Sequence, residues 1–328
     1  MIRETSPALP SPSPAELAIR DLPRSVASHD AHLETVRGMS LIEVGGAVPH
    51  ARLPMPLTVG AWNLERCLFP EASAAHAGDC DLLLVSEMDH GMARTKQRNT
   101  TAEMAGARGM SYAYAVEFLE LGLGSPIEHQ FCDDSHNARG YHGNGLMARG
   151  PLHEPFALRL WGKRQWFFDD EQPRLGERIA VGARVETEEG PFVAVSTHLE
   201  SACGPDHRAR QMAGLIAALD AEFPGLPVLI GGDLNTGNHA GGDWRAEGLF
   251  DLARAAGFSM HGGPEEQTTT RPSLITRWPE RAMKLDWFLA RGMTLGPVEI
   301  RPSLGADGTP LSDHDLIVAR IEGLSAAG

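Results

Sequence analysis

The sequence predicts an α/β fold in which β-sheets are covered by helices on their outer faces. From residue 57 onward, short apolar runs of strand character alternate with segments whose apolar residues recur at helical spacing. The chain of 328 residues is 42% hydrophobic and 22% charged, so it can bury a full core. This size suits one large domain or two small ones.

Residues 1–54 are predicted to form an N-terminal extension that is flexible at its start, and residues 55–328 to form the folded domain. Eight of the 23 prolines fall within the first 56 residues, where an SPSP run is followed by short helical patterns. The N-terminus lacks the apolar core of a secretory signal, and no apolar run reaches the roughly 18 residues that a membrane span needs. A cytoplasmic location is therefore expected.

The first half of the domain is predicted to contain three strands and two helices. The strands are LTVGAWN, DLLLVSE and YAYAVEFLEL. A short helix is expected near residues 72–77, and a second from about Thr100 to Ala107, capped by Asn99 or Thr100.

The second half begins with strand NGLMAR and a predicted hairpin, in which the turn EEGP joins ERIAVGARVET to PFVAVSTHLE. The segment HRARQMAGLIAALDAEF follows as a helix with Met212, Leu215, Ile216 and Leu219 on one face. It leads through Pro227 into the central strand VLIGGDLNT. No internal repeat of the kind that a solenoid needs is present.

Polar residues suited to a metal ion or a phosphate stand at the ends of six apolar elements. In VLIGGDLNT, strand periodicity places Asp233 and Asn235 on one side of the backbone. The others are Asn63 in VGAWN, Glu87 in LLLVSE, His198 in VAVSTH, Asp286 in LDWFLA, and Asp313 with His314 in LSDHDLIVARI. Strand ends that converge on acidic, amide and imidazole groups are what a metal-assisted phosphoryl-transfer site requires.

In this order, the six segments resemble the endonuclease/exonuclease/phosphatase family, which includes pancreatic-type deoxyribonucleases, abasic-site endonucleases, neutral sphingomyelinases and inositol polyphosphate phosphatases. The resemblance covers roughly residues 56–322. It implies a four-layer α/β/β/α sandwich with two mixed β-sheets and a metal-dependent hydrolysis of phosphate esters. It leaves the substrate open, because one fold serves many substrates.

By this resemblance, Glu87 is the principal ligand of Mg²⁺, with Mn²⁺ able to substitute. Asn63 and Asp313 stand where the family holds or orients the same ion, directly or through water. One or two carboxylates completed by water and a phosphate oxygen are the ligands that Mg²⁺ prefers.

The resemblance also assigns the hydrolytic groups. Asp233 is expected to orient and deprotonate the attacking water, and Asn235 to hold that geometry. His314 is expected to pair with Asp286, which would fix the tautomer of its ring, raise its pKa and leave the other nitrogen to donate to the phosphate.

His198 favours the deoxyribonuclease, sphingomyelinase and phosphatase branches over the abasic-site endonucleases, which lack a histidine there. In the deoxyribonucleases this histidine pairs with a glutamate, and Glu117 is the matching residue. Substrate contacts are expected from Arg178, from Asn144 in HGNGLMAR and from Tyr112 or Tyr114. A simple turn at Asn144 and a core position for the tyrosines are the alternatives.

The net charge of -14 argues against long-range attraction to nucleic acid. It does not exclude a nuclease, because pancreatic-type deoxyribonucleases are acidic as a family. Asp89 occupies the place where those enzymes carry a minor-groove arginine, which disfavours duplex DNA. The expected substrate is a phosphodiester of single-stranded or structured nucleic acid. A small-molecule or lipid-head-group phosphate is the alternative, and a non-catalytic interaction protein with the same fold is the second; no protein partner can be inferred.

Two segments allow other interpretations. Residues 128–142 gather histidine, cysteine and aspartate, either as a transition-metal site or as a polar loop. Residues 159–168 interleave basic and aromatic side chains, either as a surface that stacks bases or touches lipid, or as packing under a long loop. The four cysteines are dispersed and are expected to be reduced thiols, with a Cys67–Cys80 disulfide as the alternative.

Overall fold

The computed structural model describes residues 1–21 and 23–325. In this part of the chain, two mixed β-sheets stack face to face, and helices cover their outer faces. The α-helices are α1 (Pro14–Leu17), α2 (Val26–Thr35), α3 (Pro70–His76), α4 (Thr100–Arg108), α5 (Pro205–Glu222) and α6 (Leu249–Ala255).

The first sheet contains the N-terminal and C-terminal strands. Its members are β1 (Thr5–Ser6), β2 (Ile42–Gly46), β3 (Leu57–Arg66), β4 (Leu82–His90), β5 (Ser111–Glu120), β6 (Tyr141–Ala148), β8 (Arg174–Gly176), β14 (Met293–Leu295), β15 (Glu299–Arg301) and β16 (Leu316–Leu324). The strand order is β1-β2-β5-β6-β4-β3-β16-β14, with β8 paired to β5 and β15 to β16. The pairs β1–β2 and β3–β4 are parallel.

The second sheet is formed by the middle of the chain. Its strands are β7 (Leu152–Arg159), β9 (Ile179–Thr187), β10 (Gly190–His198), β11 (Val228–Asp233), β12 (Ser259–His261) and β13 (Asp286–Arg291), in the order β12-β13-β11-β10-β9-β7. The pair β10–β11 is parallel and sets His198 beside Asp233, while the antiparallel pair β11–β13 sets Asp233 beside Asp286. The register therefore places three predicted site residues, His198, Asp233 and Asp286, side by side at the same end of these strands.

Three apolar cores separate four layers, because both faces of each sheet are buried. In β3, Val59 and Ala61 face the second sheet, whereas Trp62 and Leu64 face the helices on the other side. This alternation follows the period of two in a strand. The core between the second sheet and α5 includes Met212, Leu215, Ile216 and Leu219, as predicted from helical spacing. The predicted α/β/β/α sandwich is thus confirmed.

The N-terminal segment is part of the first sheet. Strand β1 pairs with β2, which pairs with β5, and Leu9 and Ile19 are buried in the core beneath the helices. The boundary expected at residue 54 therefore does not coincide with an edge of the fold. The reason is that a few well-spaced apolar residues anchor this proline-rich segment.

Local elements follow the predicted signals closely. Helix α4 begins after Asn99, whose side chain accepts a hydrogen bond from the backbone N–H of Ala102. Strands β9 and β10 form the expected hairpin. The cysteines are free thiols, with Cys67 and Cys80 buried. In the part of the chain that the structure describes, no helix is long and apolar enough to cross a membrane.

Replacing Gly232 by alanine should destabilise the fold strongly. Its φ is +141°, and an added Cβ would lie 2.0 Å from the carbonyl oxygen of Thr197 on β10. The matched control is Gly190→Ala in the β9–β10 turn, where φ is +121° but no atom lies within 4 Å. The control should cost about 1–3 kcal/mol from backbone strain. Gly232→Ala should cost at least about 2 kcal/mol more in urea unfolding, since overpacking is added. Equal losses would contradict this account.

Candidate functional site

The strand ends bring the predicted site residues together between the two sheets. In their strands, Asn63, His198, Asp233 and Asp286 alternate in phase with the buried apolar residues that face the opposite sheet. Their side chains therefore also lie between the two sheets, just beyond the last apolar layer. The Asn63 amide group bridges the sheets, since Nδ2 donates to Oδ2 of Asp233 at 3.1 Å and to Oε1 of Glu87 at 3.2 Å.

Glu87 reaches the site through an irregularity in β4. By strict alternation it would face the outer helices with Leu83 and Val85. Its φ of +57° and a register shift between Val85 and Met88 redirect its side chain toward the site. Burial acts to raise the pKa of Glu87, but positive charges, that of Arg66 above all and that of Arg178, outweigh it and hold that pKa well below its ordinary value. Glu87 is therefore an anion.

Glu87 and Asp313 form the part of the site that could hold a metal ion. Both carboxylates face a cavity of about 180 Å³, with side chains 19% and 23% exposed. Burial raises the pKa of Asp313; the charge of His314 offsets this in part, and that of Glu87 reinforces it. Two hard oxygen ligands that repel each other fit a cation such as Mg²⁺.

The side chain of Asn63 is not oriented as a direct metal ligand would be. Its Oδ1 accepts a hydrogen bond from the backbone N–H of Glu65 at 3.0 Å, so its nitrogen faces the two carboxylates. With this orientation, Asn63 positions Glu87 and Asp233.

Asp233 is held on both oxygens. Oδ1 accepts from the backbone N–H of Asn235 at 2.8 Å, and Oδ2 accepts from Asn63. Burial raises its pKa to about 6, an effect that the charge of His314 offsets in part and that of Asp286 reinforces. A carboxylate with such a pKa is suited to accept a proton near neutral pH. Asn235 itself has φ +50°, and its side chain bonds to Leu199 and Asn238, so it braces the loop in this structure.

His314 lies between two carboxylates, as expected for Asp286. Its Nδ1 donates to Oδ2 of Asp286 at 2.8 Å, and its Nε2 is 3.6 Å from Oδ2 of Asp233. Burial acts to lower the pKa of His314, but Asp286 and Asp233 outweigh it and raise that pKa well above its ordinary value. The three residues also present potential metal-ligand atoms within 4.8 Å of one another. Because both ring nitrogens already face carboxylates, the arrangement favours an imidazolium over a metal ligand.

Arg178 stands between His198 and Glu117, which were expected to pair directly. Its Nη1 is 2.7 Å from Oε1 of Glu117 and 2.9 Å from Nδ1 of His198. The nearest Glu117 oxygen is 3.8 Å from Nδ1, too far for a hydrogen bond. Burial and the charge of Arg178 hold the pKa of His198 well below its ordinary value, so the ring is neutral. Burial raises the pKa of Glu117 to about 7, against the opposing charge of Arg178.

The structure does not bring Tyr114 or Asn144 to the cavity. Tyr114 is buried in the core beneath the outer helices, and its hydroxyl donates to the carbonyl of Met88. Tyr112 lies on the same face and donates to Glu43. Asn144 is buried between the sheets, where Nδ2 donates to the carbonyl of Ile179 at 2.8 Å. Both predicted substrate contacts are structural positions here.

A buried network of ion pairs is linked to Glu87, and the sequence analysis did not predict it. Asp89, expected at a substrate-facing position, is buried and bonds to Arg94 and to Nδ1 of His142. Arg94 also pairs with Glu120 and Glu128. Apart from Asp89 and Arg94, which are five residues apart, the partners in this network are separated by 26 residues or more, so no local motif indicates them.

The network also accounts for residues 128–142. Glu128 and His142 belong to it, while Asp133 and Asp134 are exposed and bond to Lys96 and Gln97. Within the described residues, this segment does not form a metal-ligand cluster. The mixed composition of this segment thus reflects two groups of residues: Glu128 and His142 belong to the buried network, and Asp133 and Asp134 lie on the exposed surface.

Replacing Arg66 by glutamine should strengthen the binding of a divalent cation. Arg66 contacts Glu87 and pairs with Glu128 at 2.8 Å, so its charge opposes a cation at Glu87. The dissociation constant for Mn²⁺, measured by calorimetry, should fall at least about fivefold, because one charge at 4 Å contributes about 1 kcal/mol even in water. Arg245→Gln, a surface change paired with Glu265, is the control. An unchanged or higher dissociation constant for Mn²⁺ in Arg66→Gln would refute the idea that Arg66 and the cation compete for Glu87.

Comparisons with known proteins agree with this architecture. An endonuclease/exonuclease/phosphatase from Beutenbergia cavernae DSM 12333 shows a TM-score of 0.59 at 16% identity, over 83% of this chain and 72% of the other. The human Nocturnin catalytic domain with bound sulfate anion gives 0.55 at 18%, over 85% and 96%. An endonuclease/exonuclease/phosphatase from Bacteroides vulgatus gives 0.53 at 17%, over 82% and 99%. At these identities the likeness shows the fold alone.

The sequence itself matches a protein-family model. A comparison with curated proteins gave no match. The model of the endonuclease/exonuclease/phosphatase family, in contrast, matches residues 60–314, which is more than half of the chain and includes every strand end described above. This protein belongs to the endonuclease/exonuclease/phosphatase family.

Proposed function

We propose that the protein is a Mg²⁺-dependent phosphodiesterase that acts on nucleic acid, with Mn²⁺ able to substitute. Family membership supports the hydrolysis of phosphate esters in general. The observation that supports this site most directly is the position of Asp233. It hydrogen bonds to Asn63, which also bonds to Glu87, and both His314 and His198 approach it within 3.6 Å.

Glu87 and Asp313 are the residues that would hold the metal ion. When bound, such an ion supplies a positive charge that stabilises the phosphoryl oxygens as their negative charge develops. Its affinity then depends on how well Asn63 fixes the carboxylate of Glu87.

Asp233 acts as the general base in this proposal. A water oxygen attacks phosphorus and forms the new P–O bond, and its proton passes to Asp233 as the bond to the leaving oxygen breaks. Asn63 and the backbone N–H of Asn235 keep the carboxylate aligned. Most of the carboxylate is ionised at pH 7, because its pKa is about 6.

His314 and Arg178 provide positive charge on either side of Asp233. The imidazolium of His314 donates from Nε2 toward a phosphoryl oxygen, while Asp286 fixes Nδ1. Arg178 is anchored by Glu117 and lines the same cavity as Glu87. His198, neutral and beside Arg178, adds a hydrogen-bond donor without adding charge.

Nucleic acid is favoured as the substrate because the cavity is less acidic than the chain as a whole. Four arginines (Arg66, Arg174, Arg178 and Arg277) line it beside four carboxylates (Glu65, Glu87, Glu128 and Asp313), whereas the whole chain has a net charge of -14. Repulsion of a phosphodiester is thus weaker in the cleft than over the rest of the surface, which suits a short or single-stranded phosphodiester better than a long duplex.

The proposal is tested with a substrate panel. Bis-p-nitrophenyl phosphate, p-nitrophenyl phosphate and fluorescent single-stranded and duplex oligonucleotides are incubated with Mg²⁺, Mn²⁺ or EDTA. The blank is the Asp233→Asn, His314→Ala double variant. Metal-dependent cleavage of diesters that disappears in the blank is the expected result. Preference for the monoester would indicate a small-molecule phosphatase, and absence of turnover on all four would indicate a binding protein.

A further inference from the structure

A second, larger cavity adjoins the site described above. It has a volume of about 720 Å³, four times that of the cavity that Glu87 faces. Trp166, Ser201, Arg277 and Trp278 line both of them, so the two form one continuous cleft. A substrate whose phosphate lies near Glu87 would therefore extend into the larger cavity.

Two tryptophans dominate the wall of this cavity. Trp278 is 65% exposed, more than any other large hydrophobic residue in the described part of the chain. Trp166 is held firmly, since its indole N–H donates to Glu200 at 3.1 Å and the guanidinium groups of Arg174 and Arg178 lie 5.2 and 5.5 Å from its ring centre. An exposed aromatic side chain that shares a cavity with a fixed one is typical of a site for a planar ligand.

The cavity also contains an arginine without an ion-pair partner among the described residues. Arg281 bonds to Oδ1 of Asn238 at 2.5 Å, and no carboxylate oxygen of the described residues lies within 4.0 Å of its guanidinium. By contrast, Arg66, Arg174 and Arg178 all pair with glutamates. Arg281 is therefore free to attract an anionic group of the ligand.

We propose that this cavity binds an unpaired nucleobase attached to the phosphate that is cleaved, with Trp166 and Trp278 contacting the ring and Arg281 a neighbouring phosphate. This inference rests on the proposed function and adds the substrate class. A base within a duplex is stacked and paired, and its extrusion costs a few kcal/mol. The enzyme should thus act on single-stranded ends or on small nucleotide esters.

The first test compares two esters with the same leaving group, thymidine 5′-p-nitrophenyl phosphate and methyl p-nitrophenyl phosphate. Stacking of one base contributes about 1–3 kcal/mol, so the wild-type ratio of kcat/KM should be about 5–150 in favour of the thymidine ester. Trp278→Leu should lower this ratio at least about fivefold. Trp161→Leu is the matched control, because Trp161 is also exposed but packs on His207 outside both cavities.

A second test does not depend on turnover. In EDTA, calorimetry should show adenosine 5′-monophosphate binding more tightly than ribose 5-phosphate to the wild type, and Trp278→Leu should abolish the difference. Arg281→Gln should weaken binding of adenosine 3′,5′-bisphosphate, which carries a neighbouring phosphate, and reduce its salt dependence, while changing the binding of adenosine 5′-monophosphate less.

The outcomes separate the two proposals. If neither ester is cleaved while the nucleotide still binds through Trp278, the proposed reaction fails and the cavity assignment stands. If both esters are cleaved with a ratio near one, and the nucleotide binds no better than ribose 5-phosphate, the nucleobase assignment is overturned. A preference for p-nitrophenyl phosphorylcholine over the thymidine ester would overturn it in favour of a lipid head group.

Discussion

Replacing Asp233 by asparagine should lower kcat by about 10²–10⁴-fold, the usual contribution of a general base. The carboxylate accepts two hydrogen bonds, from Asn63 and from the backbone of Asn235, and has a pKa of about 6. An amide cannot take up the proton of the attacking water. Its NH₂ group would also face one of these two donors, which tilts the side chain. Steady-state kinetics on the best substrate of the panel measure the loss.

The control for this variant is Asp315→Asn. Asp315 also accepts from a backbone N–H, that of Ser303, and pairs with Arg271, whereas Asp233 bonds to Asn63 and approaches His314. It should keep kcat within a few-fold of the wild type even if the fold is slightly destabilised. Mn²⁺ binding measured on both variants shows whether the metal site survives. A loss of activity in Asp233→Asn that merely follows a loss of metal would argue against the role of general base.

The candidate site could be predicted because strand ends have a simple geometry. His198 and Asp233 each end an apolar strand and Asp286 begins one, and one register places the three side by side. Once the strands are recognised, the period of two decides which residues share a face. The same rule explains the failure at Tyr114, since it lies three residues from Glu117, and an odd spacing puts the two on opposite faces.

Sequence patterns do not predict irregular backbone conformations or contacts between residues that are far apart in the sequence. Glu87 reaches the cavity only because its φ of +57° breaks the alternation of β4, and the letters LLLVSE do not show this. Arg178 separates Glu117 from His198 although it lies 61 residues from the first and 20 from the second. Such contacts depend on how two sheets stack, which a local motif does not contain.

The N-terminal strands illustrate a different limit. Strand β1 has two residues and pairs with β2 in a parallel register that no local turn specifies. Prolines before and after its helical segments suggested flexibility, while the burial of Leu9 and Ile19 depends on a surface supplied by later residues. The strands predicted from residue 57 onward have longer apolar runs, and each of them is present in the structure.

Replacing Asp286 by asparagine should move the alkaline limb of the pH–rate profile to lower pH and reduce kcat by about 10²–10⁴-fold. In the wild type, burial opposes the charged form of His314, but Asp286 and Asp233 raise its pKa well above the ordinary value. Activity that needs the imidazolium is present below that pKa and is lost as the pH rises through it. Removing the charge of Asp286 lowers the pKa, so the loss begins at a lower pH.

The acid limb of the pH–rate profile is a poorer indicator of the loss of the Asp286 charge. It reports protonation of Asp233, whose pKa is raised to about 6 by burial and by Asp286, against the charge of His314. The variant removes an effect that raises this pKa and weakens one that lowers it, so the two changes oppose each other. The alkaline limb has no such cancellation, because the variant removes only effects that raise the pKa of His314, the charge of Asp286 and its hydrogen bond, and leaves the burial of the ring and the charge of Asp233 in place.

Nitrogen-15 NMR titration of the histidine rings supplies a direct measurement of the same pKa, with His314→Gln used to assign the signal. The NMR pKa and the alkaline limb should fall together in Asp286→Asn and stay unchanged in the control Asp315→Asn. If the ring titrates at lower pH while the limb does not move, the group that limits activity at high pH is not His314. The donor to the phosphate would then have to be sought in the pair of His198 and Arg178, which lies on the other side of Asp233.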